Sequence, residues 1–515
     1  MSTAAHKLIP AGFTPLPSLE EGRIGDVLVV ETQSDDAQVI GIPVGADGSV
    51  PTELGIERPS LEAAGFDGGI GSALYIARVN GPALVAVGVG EPGALSLNGA
   101  RDVAAAFARA ARRAEWIALD VSGIMYASGG SLAIGDLAQA VTEGILLAGY
   151  RYTELKAASS EARLVKAELV IGSHDATAAV RGVHLGKITA RTTAIARDLA
   201  NTPASHLTAT DFGSVAERVG PEFGLVVDVF DKEKLIELGC GGLLGVNAGS
   251  AEEPRMIVLH YDPTGDDGAP IEPAGRIVFV GKGITYDSGG ISLKPSTGMH
   301  LLMKMDMAGA GAVFAAMTAL RDLGCRSAVT GLLMCTDNMP SGSATKLGDV
   351  LTIHGGKTVE VKNTDAEGRL VMADALVLAS EELPDAIIDI ATLTGAAVMA
   401  LGPKTAAIFS NAEDLVDRIT DAASAVDEPV WQLPLEKKYR KLLDSDVADI
   451  SNVGGQYAGA ITAALFLSEF VGDIPWVHVD MAGTMSVEAD ESWRSKGATG
   501  FGARLLAEFA TSFGA

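Results

Sequence analysis

Five short runs in the C-terminal part of the chain are apolar almost throughout: Ile257–His260, Ile277–Val280, Ala328–Cys335, Ala386–Ile390 and Val477–Asp480. A strand with one wet face alternates apolar and polar residues; a run without that alternation belongs to a sheet covered on both faces. From about residue 203 onward such runs alternate with glycine-rich loops and helix-like stretches. The expected fold class is therefore α/β, with a mixed, mostly parallel sheet sandwiched by helices. Open sheets of this kind take ligands at the carboxyl ends of their strands. The polar residues of interest fall there.

The N-terminal part reads as a second α/β unit. Val27–Val30, Ala83–Val87 and Trp116–Leu119 are strand candidates, and Ala100–Ala114 is a helix candidate. The glycine-rich pieces Gly88–Gly99 and Gly129–Gly135 lack a phosphate-loop arrangement and read as turns. Between the units, Ser173 is a candidate helix cap, Val180, Val183, Ile188, Ile195 and Leu199 recur at near-helical spacing, and Pro203 ends the run. The expected organisation is an N-terminal domain over 1–172, a linker helix over 173–202 and a C-terminal domain over 203–515. A chain of 515 residues is long enough for such an arrangement.

Charge and cysteine content narrow the function classes. With 39 basic and 65 acidic side chains the formal charge is −26, which argues against nucleic acid or an anionic membrane as a general partner. Cys240, Cys325 and Cys335 form neither a disulfide framework nor a zinc pattern, and no signal-peptide stretch opens the sequence, so a cytoplasmic setting is expected. The apolar run Ala308–Leu320 is too short to span a bilayer and reads as a buried helix.

Three segments carry chemistry. The first, VGKGITYDSGG (280–290), follows a strand candidate and places Lys282 and Asp287 in an expected glycine-rich loop, with Lys294 just beyond. The second puts Asp306 before the apolar helix; the third, NTDAEGRL (363–370), holds Asp365, Glu367 and Arg369 before another. Taken singly, each has a bland reading as a charged loop or a helix N-terminus. Jointly they would bring four carboxylates to one face of a sheet. Two like charges about 4 Å apart repel by about 4 kcal/mol at an effective dielectric of 20, so divalent cations are the natural compensation. Oxygen-rich donors suit magnesium, manganese or zinc. A lysine joins such a set only as a neutral amine, its proton driven off by the adjacent dication. No histidine is followed by glutamate, no serine stands in a G-x-S-x-G frame, and His260 and His478 fall in or beside apolar strands as core histidines.

The segment NTDAEGRL resembles the signature of the leucyl aminopeptidase (cytosol aminopeptidase) family of dinuclear metallopeptidases. VGKGITYDSGGISLKPS (280–296), KMDMAGAGA (304–312), GDVLT (348–352), DIATLTGA (389–396), GGQYAGAITAALFL (454–467) and HVDMAGT (478–484) are similar to further family segments in the same order. The resemblance implies two α/β domains and a metal-dependent enzyme that releases N-terminal, leucine-like residues from peptides with a free amino terminus. It implies Lys282, Asp287, Asp306, Asp365 and Glu367 as ligands of two divalent ions (manganese, zinc or magnesium). Lys294 would be the catalytic lysine and Arg369 the holder of bicarbonate. Met303, Thr392, Gly395, Ala482 and Met485 would line the pocket for the first side chain, and the assembly would be a homohexamer. The stretch between Lys294 and Asp306 is one residue longer than in typical members, and His300 stands where some relatives have aspartate. A dinuclear phosphohydrolase and a non-catalytic scaffold are the rival classes.

Overall fold

The computed structural model describes residues 9–10, 12–157, 162–265 and 267–514. They divide into two compact units. Leu16–Ala194 with Val487–Gly497 form one; Ile195–Ser486 with Ala498 onward form the other. The division falls inside a 26-residue helix, Ala176–Asn201. Its first turn is capped by Asp175, whose carboxylate accepts the Ala178 N–H at 3.1 Å. Ser173 therefore lies outside the cap: a side chain bonds the backbone of N2 or N3, and Asp175 has that spacing.

The N-terminal unit holds a six-stranded sheet. Its strands are β1 (Asp26–Val30), β2 (Val39–Gly45), β3 (Ala73–Ile76), β4 (Ala83–Gly90), β5 (Trp116–Asp120) and β6 (Lys166–Val170), in the order β1-β6-β5-β2-β4-β3. Only β3 runs antiparallel to its neighbour. Helices Leu97–Ala110 and Ile134–Gly149 bury their apolar faces in its core with Val85, Val87 and Leu119. Trp493, 1% exposed, belongs to the same cluster although it lies near the end of the chain. Gly90, Gly93, Gly129 and Gly130 have positive φ, which is turn chemistry, as read from the sequence.

The C-terminal unit is built on eight strands: β7 (Val226–Phe230), β8 (Arg255–Tyr261), β9 (Arg276–Asp287), β10 (Ala328–Asn338), β13 (Ala386–Ala391), β14 (Ala406–Ser410), β15 (Val430–Gln432) and β17 (Trp476–Asp480). Small strands β11 (Val350–Thr352), β12 (Thr358–Glu360) and β16 (Ile450–Ser451) form a separate sheet. The large sheet runs β15-β14-β17-β13-β9-β10-β8-β7. Its four central strands, β17, β13, β9 and β10, are parallel. Val278 and Val280 enter a core with helices Gly241–Asn247, Gly368–Glu381 and Gly459–Ser468. On the other face Gly281 lies against helix Ala308–Met317, where a Cβ would stand 2.6 Å from the Ala310 Cα. That helix is buried throughout. Among the described residues no helix is long and apolar enough to cross a membrane.

One expected boundary moves. The segment after Val280 continues as strand to Asp287, so Lys282 and Asp287 sit on β9 itself. Parallel pairing with β10, from Ala328↔Arg276 to Asn338↔Asp287, holds the backbone extended through the charged residues. Tertiary pairing overrides local preference there. Gly281 and Gly283 serve close packing; the turn falls at Gly289 and Gly290, where φ is +89° and +64°.

Candidate metal centre

The carboxyl ends of the central strands bring the charged residues together. Oxygens of Asp287, Asp365 and Glu367 all lie within 4.8 Å of one another. Lys282 Nζ is 2.8 Å from Glu367 Oε1 and 2.9 Å from Asp306 Oδ2, and donates to the Thr392 carbonyl at 2.8 Å. Lys294 Nζ is 2.8 Å from Asp287 Oδ2 and 2.6 Å from Asp365 Oδ1. Four carboxylates thus share two ammonium groups in one cradle. Asp306 is not a helix cap: its Oδ1 accepts the Thr392 hydroxyl at 2.7 Å, and its side chain faces the cradle.

Burial sets the electrostatics. Asp287, Asp306 and Glu367 are almost wholly buried, as is Lys282, whereas Asp365 and Lys294 are part-exposed at the mouth. Burial opposes the charge on Lys282, but Asp306, Glu367 and Asp287 outweigh it and raise its pKa. Lys294 is raised in the same way, by Asp287 and Asp365 against its burial. Burial also pushes the carboxyls of Asp306, Glu367 and Asp365 up; repulsion from Asp287 adds to it, and the lysines only partly offset it. The cradle is over-supplied with negative charge.

Several polar atoms in the cradle are buried without a hydrogen-bond donor. Glu367 Oε2 has none; Asp306 Oδ2 and Asp365 Oδ1 touch lysine nitrogens at ion-pair distance but outside hydrogen-bond geometry. Unsatisfied buried acceptors are costly. Hard oxygen donors in excess of their cations, with lone pairs to spare, fit divalent metal ions. Lys282 fits the same set only after losing its proton. Arg369, 7% exposed, donates Nη1 to the Asn452 carbonyl at 2.9 Å, while its Nε is buried without a partner. Burial lowers its pKa to about 10 against the pull of Glu367 and Asp480. A guanidinium with a free N–H suits a small oxyanion such as bicarbonate.

The residues expected around a first side chain are placed on adjoining loops. Thr392 touches both Asp306 and Lys282. Gly395 opens helix Gly395–Leu401 and is exposed. Ala482 N–H shares Asp480 Oδ1 with the Leu393 and Thr394 N–H groups, which ties its loop to that of Thr392. Met303 is buried, and its carbonyl accepts the Asp306 N–H; Met485 is buried at the end of the turn from Met481. His300 stacks obliquely on Tyr286 at 5.8 Å. Of the two strand histidines, His478 is fully buried with Nδ1 2.5 Å from Asp389 Oδ1, and half-buried His260 meets Thr330.

Three supporting residues carry no signal in the charged motifs. Asn338 Nδ2 donates to Asp287 Oδ1 at 2.9 Å and to the Thr364 carbonyl at 3.0 Å. Asp480 Oδ2 accepts the Thr394 hydroxyl at 2.6 Å. Asn452 bonds the loop that carries Asp365 and Glu367. Only Asp480 lies inside a motif block, HVDMAGT, where its place at a strand end could have marked it.

The described architecture has known counterparts. The family model "Cytosol aminopeptidase family, catalytic domain" matches residues 194–507, and the family's N-terminal domain matches 58–159. The probable cytosol aminopeptidase of Alkaliphilus metalliredigens is 40% identical over 467 residues, 89% of this chain and 91% of that protein. That of Streptomyces coelicolor is 41% identical over 511 residues, 92% and 95% of the two chains. Among solved structures, the bottromycin maturation enzyme BotP in complex with Mn superposes with a TM-score of 0.84 at 36% identity, covering 93% of this chain and 100% of that one. A mutant of tomato leucine aminopeptidase superposes with a TM-score of 0.84 at 29% identity, covering 96% and 97%.

Proposed function

The chain belongs to the cytosol aminopeptidase family and is a peptidase, and from that premise we propose that it is a two-metal aminopeptidase releasing leucine-like N-terminal residues. One observation carries the reading: four carboxylates converge on two lysines, with carboxylate oxygens left buried and without hydrogen-bond donors. Lys282, Asp287, Asp306, Asp365 and Glu367 would hold two divalent ions, manganese or zinc, with magnesium a further candidate. When bound, the ions would polarise the scissile carbonyl, take the substrate's free amino group and activate a water.

The chain's own groups complete the reaction. Lys294, 19% exposed at the mouth, would supply the ammonium that stabilises the oxyanion forming on the attacked carbonyl. Arg369 would hold bicarbonate, which supplies a base that no histidine of the cradle provides. Met303, Thr392, Gly395, Ala482 and Met485 would receive the first side chain. An apolar pocket of that kind discriminates only modestly between similar side chains. The three cysteines are buried free thiols, in keeping with a reducing cytoplasm. A homohexamer is part of the same reading, and light scattering on the purified protein tests it.

The central test pairs two substrates with metal removal. Leucine p-nitroanilide should be hydrolysed and a phosphoester should not. A strong chelator should abolish turnover and manganese should restore it. Chelator-resistant hydrolysis removes the metals from the mechanism; phosphoester cleavage in place of anilide cleavage makes the cradle a phosphohydrolase.

A further inference from the structure

The loop 362–369 supplies two of the carboxylates and Arg369, yet its backbone is held from a distance of 89 residues by one amide. Asn452 follows β16, which pairs with β12 (Val359↔Ile450, Glu360↔Ser451), and the Asn452 N–H continues this pairing to the Glu360 carbonyl at 3.0 Å. The side chain is fully buried. Its Oδ1 accepts the N–H groups of Lys362 at 2.9 Å and Asn363 at 3.3 Å. Its Nδ2 donates to the carbonyls of Asn363 at 2.7 Å and Ala366 at 3.3 Å. The amide orientation is fixed by these partners, since a flipped amide would set acceptor against acceptor and donor against donor. The backbone carbonyl of the same residue accepts Arg369 Nη1.

We propose that Asn452 is a positioning residue that sets Asp365, Glu367 and Arg369 in register as one unit, without itself touching metal or substrate. The inference rests on the two-metal reading above. Asp365 and Glu367 flank Ala366, whose carbonyl Asn452 holds, and the Asp365 N–H closes the loop on Asn363 Oδ1 at 2.9 Å. A backbone clamped at 362, 363 and 366 has little freedom at 365 and 367. Groups that orient metal ligands typically change metal affinity or activity by about 10- to 100-fold when removed. Here one side chain fixes the backbone that carries two carboxylates, while the main-chain carbonyl of the same residue holds the guanidinium, so loss of the side chain should loosen that loop, weaken metal binding and slow turnover at once.

The test compares the full-length protein with N452A and N452D. The aspartate keeps side-chain volume and both accepting bonds but sets a charged acceptor against the Asn363 and Ala366 carbonyls where the amide donated. Manganese binding to the chelator-stripped proteins is measured by isothermal titration calorimetry, leucine p-nitroanilide kinetics are measured on the reloaded ones, and thermal melts verify folding. Ser451→Ala is the control: Ser451 is equally buried and adjacent, but its hydroxyl bonds Leu443 and Val453 outside the loop. The expected result is a 10- to 100-fold weaker manganese affinity in N452A, a loss at least as large in N452D, kcat falling more than KM changes, and S451A like the parent. Variants that bind manganese within twofold of the parent overturn the proposal. So does a failure of both variants to fold, which would make Asn452 a folding residue. A parent protein that binds no manganese overturns the two-metal reading and this inference with it, and is read before any variant is made.

Discussion

In the N-terminal unit buried Glu143 pairs with buried Arg101 at 2.6 Å; in the C-terminal unit buried Asp306 and Glu367 share Lys282, and Asp287 and Asp365 share Lys294. Both environments lie in α/β units with parallel strands between helices. Glu143 is completed by the Thr189 hydroxyl at 2.6 Å and Gln139 at 3.2 Å. In the cradle, by contrast, carboxylate oxygens remain without donors. The difference teaches how to tell structural charge from functional charge. A balanced, fully bonded pair does its work within the fold. An unbalanced cluster stores a demand for cations, and such a demand marks a site.

This contrast can be broken from either side. The largest effect is expected in the N-terminal unit. Glu143→Ala leaves the Arg101 guanidinium buried beside a cavity and should lower stability by about 3–5 kcal/mol. The turnover of the folded fraction should stay unchanged. Urea unfolding followed alongside anilide hydrolysis reads both; a loss below about 1 kcal/mol would mean the pair is not structural. In the cradle, Lys294→Ala should cost about 2.7–4 kcal/mol of transition-state stabilisation, a fall of about 10²- to 10³-fold in kcat. The thermal stability of the manganese-loaded protein should change little, because the bound cations would then balance the buried Asp287 that Lys294 pairs with. Unchanged turnover in K294A would strip the charge imbalance of its functional meaning.

A smaller effect sharpens the comparison within the C-terminal unit. Asp374 is fully buried and accepts N–H groups from Leu243 and His354 at 2.8 and 2.9 Å, with no metal ligand among these partners. Burial pushes its carboxyl up to about 6, against those hydrogen bonds. The unfolded value is about 3.9. Since the folded pKa is the higher one, the folded state binds the extra proton between the two values, and stability falls as pH rises from about 4 to about 6. At about 1.4 kcal/mol per pKa unit the loss is about 3 kcal/mol. Denaturation of the parent and of Asp374→Asn at pH 4.5 and pH 7 checks it. The parent's stability relative to the variant should drop at the higher pH, and an equal difference at both would remove the shift.

The legible parts of the molecule were those with a local signature. Ile277–Val280 can be read as a doubly covered strand because nothing polar interrupts it, and Ala386–Ile390 because Asp389 alone breaks the run without restoring an alternation. The acidic loop at 363–369 was readable because charges that crowd together need a reason. Lys282 and Asp287 read as loop residues because charge inside a strand looks like a turn until β10 is known to lie alongside. Ser173 reads as the cap in place of Asp175 because cap position depends on where the first turn begins. Asn338 and Asn452 left no trace: an uncharged amide has no periodicity, and its partners are distant in sequence. The scaffold of the site is thus harder to read than its chemistry.

Trp493 gives the N-terminal unit a history as well as a core. Its indole belongs to the same buried core as Val103, Phe107 and Leu119, which leave the ribosome several hundred residues earlier. During synthesis the N-terminal sheet can collapse early, but it must wait with that place unfilled until nearly the whole chain has emerged. The unit that begins first therefore closes only after the eight-stranded sheet, whose last strand ends at Asp480, has been translated, and just ahead of the final helix Ala503–Phe513 of the other unit.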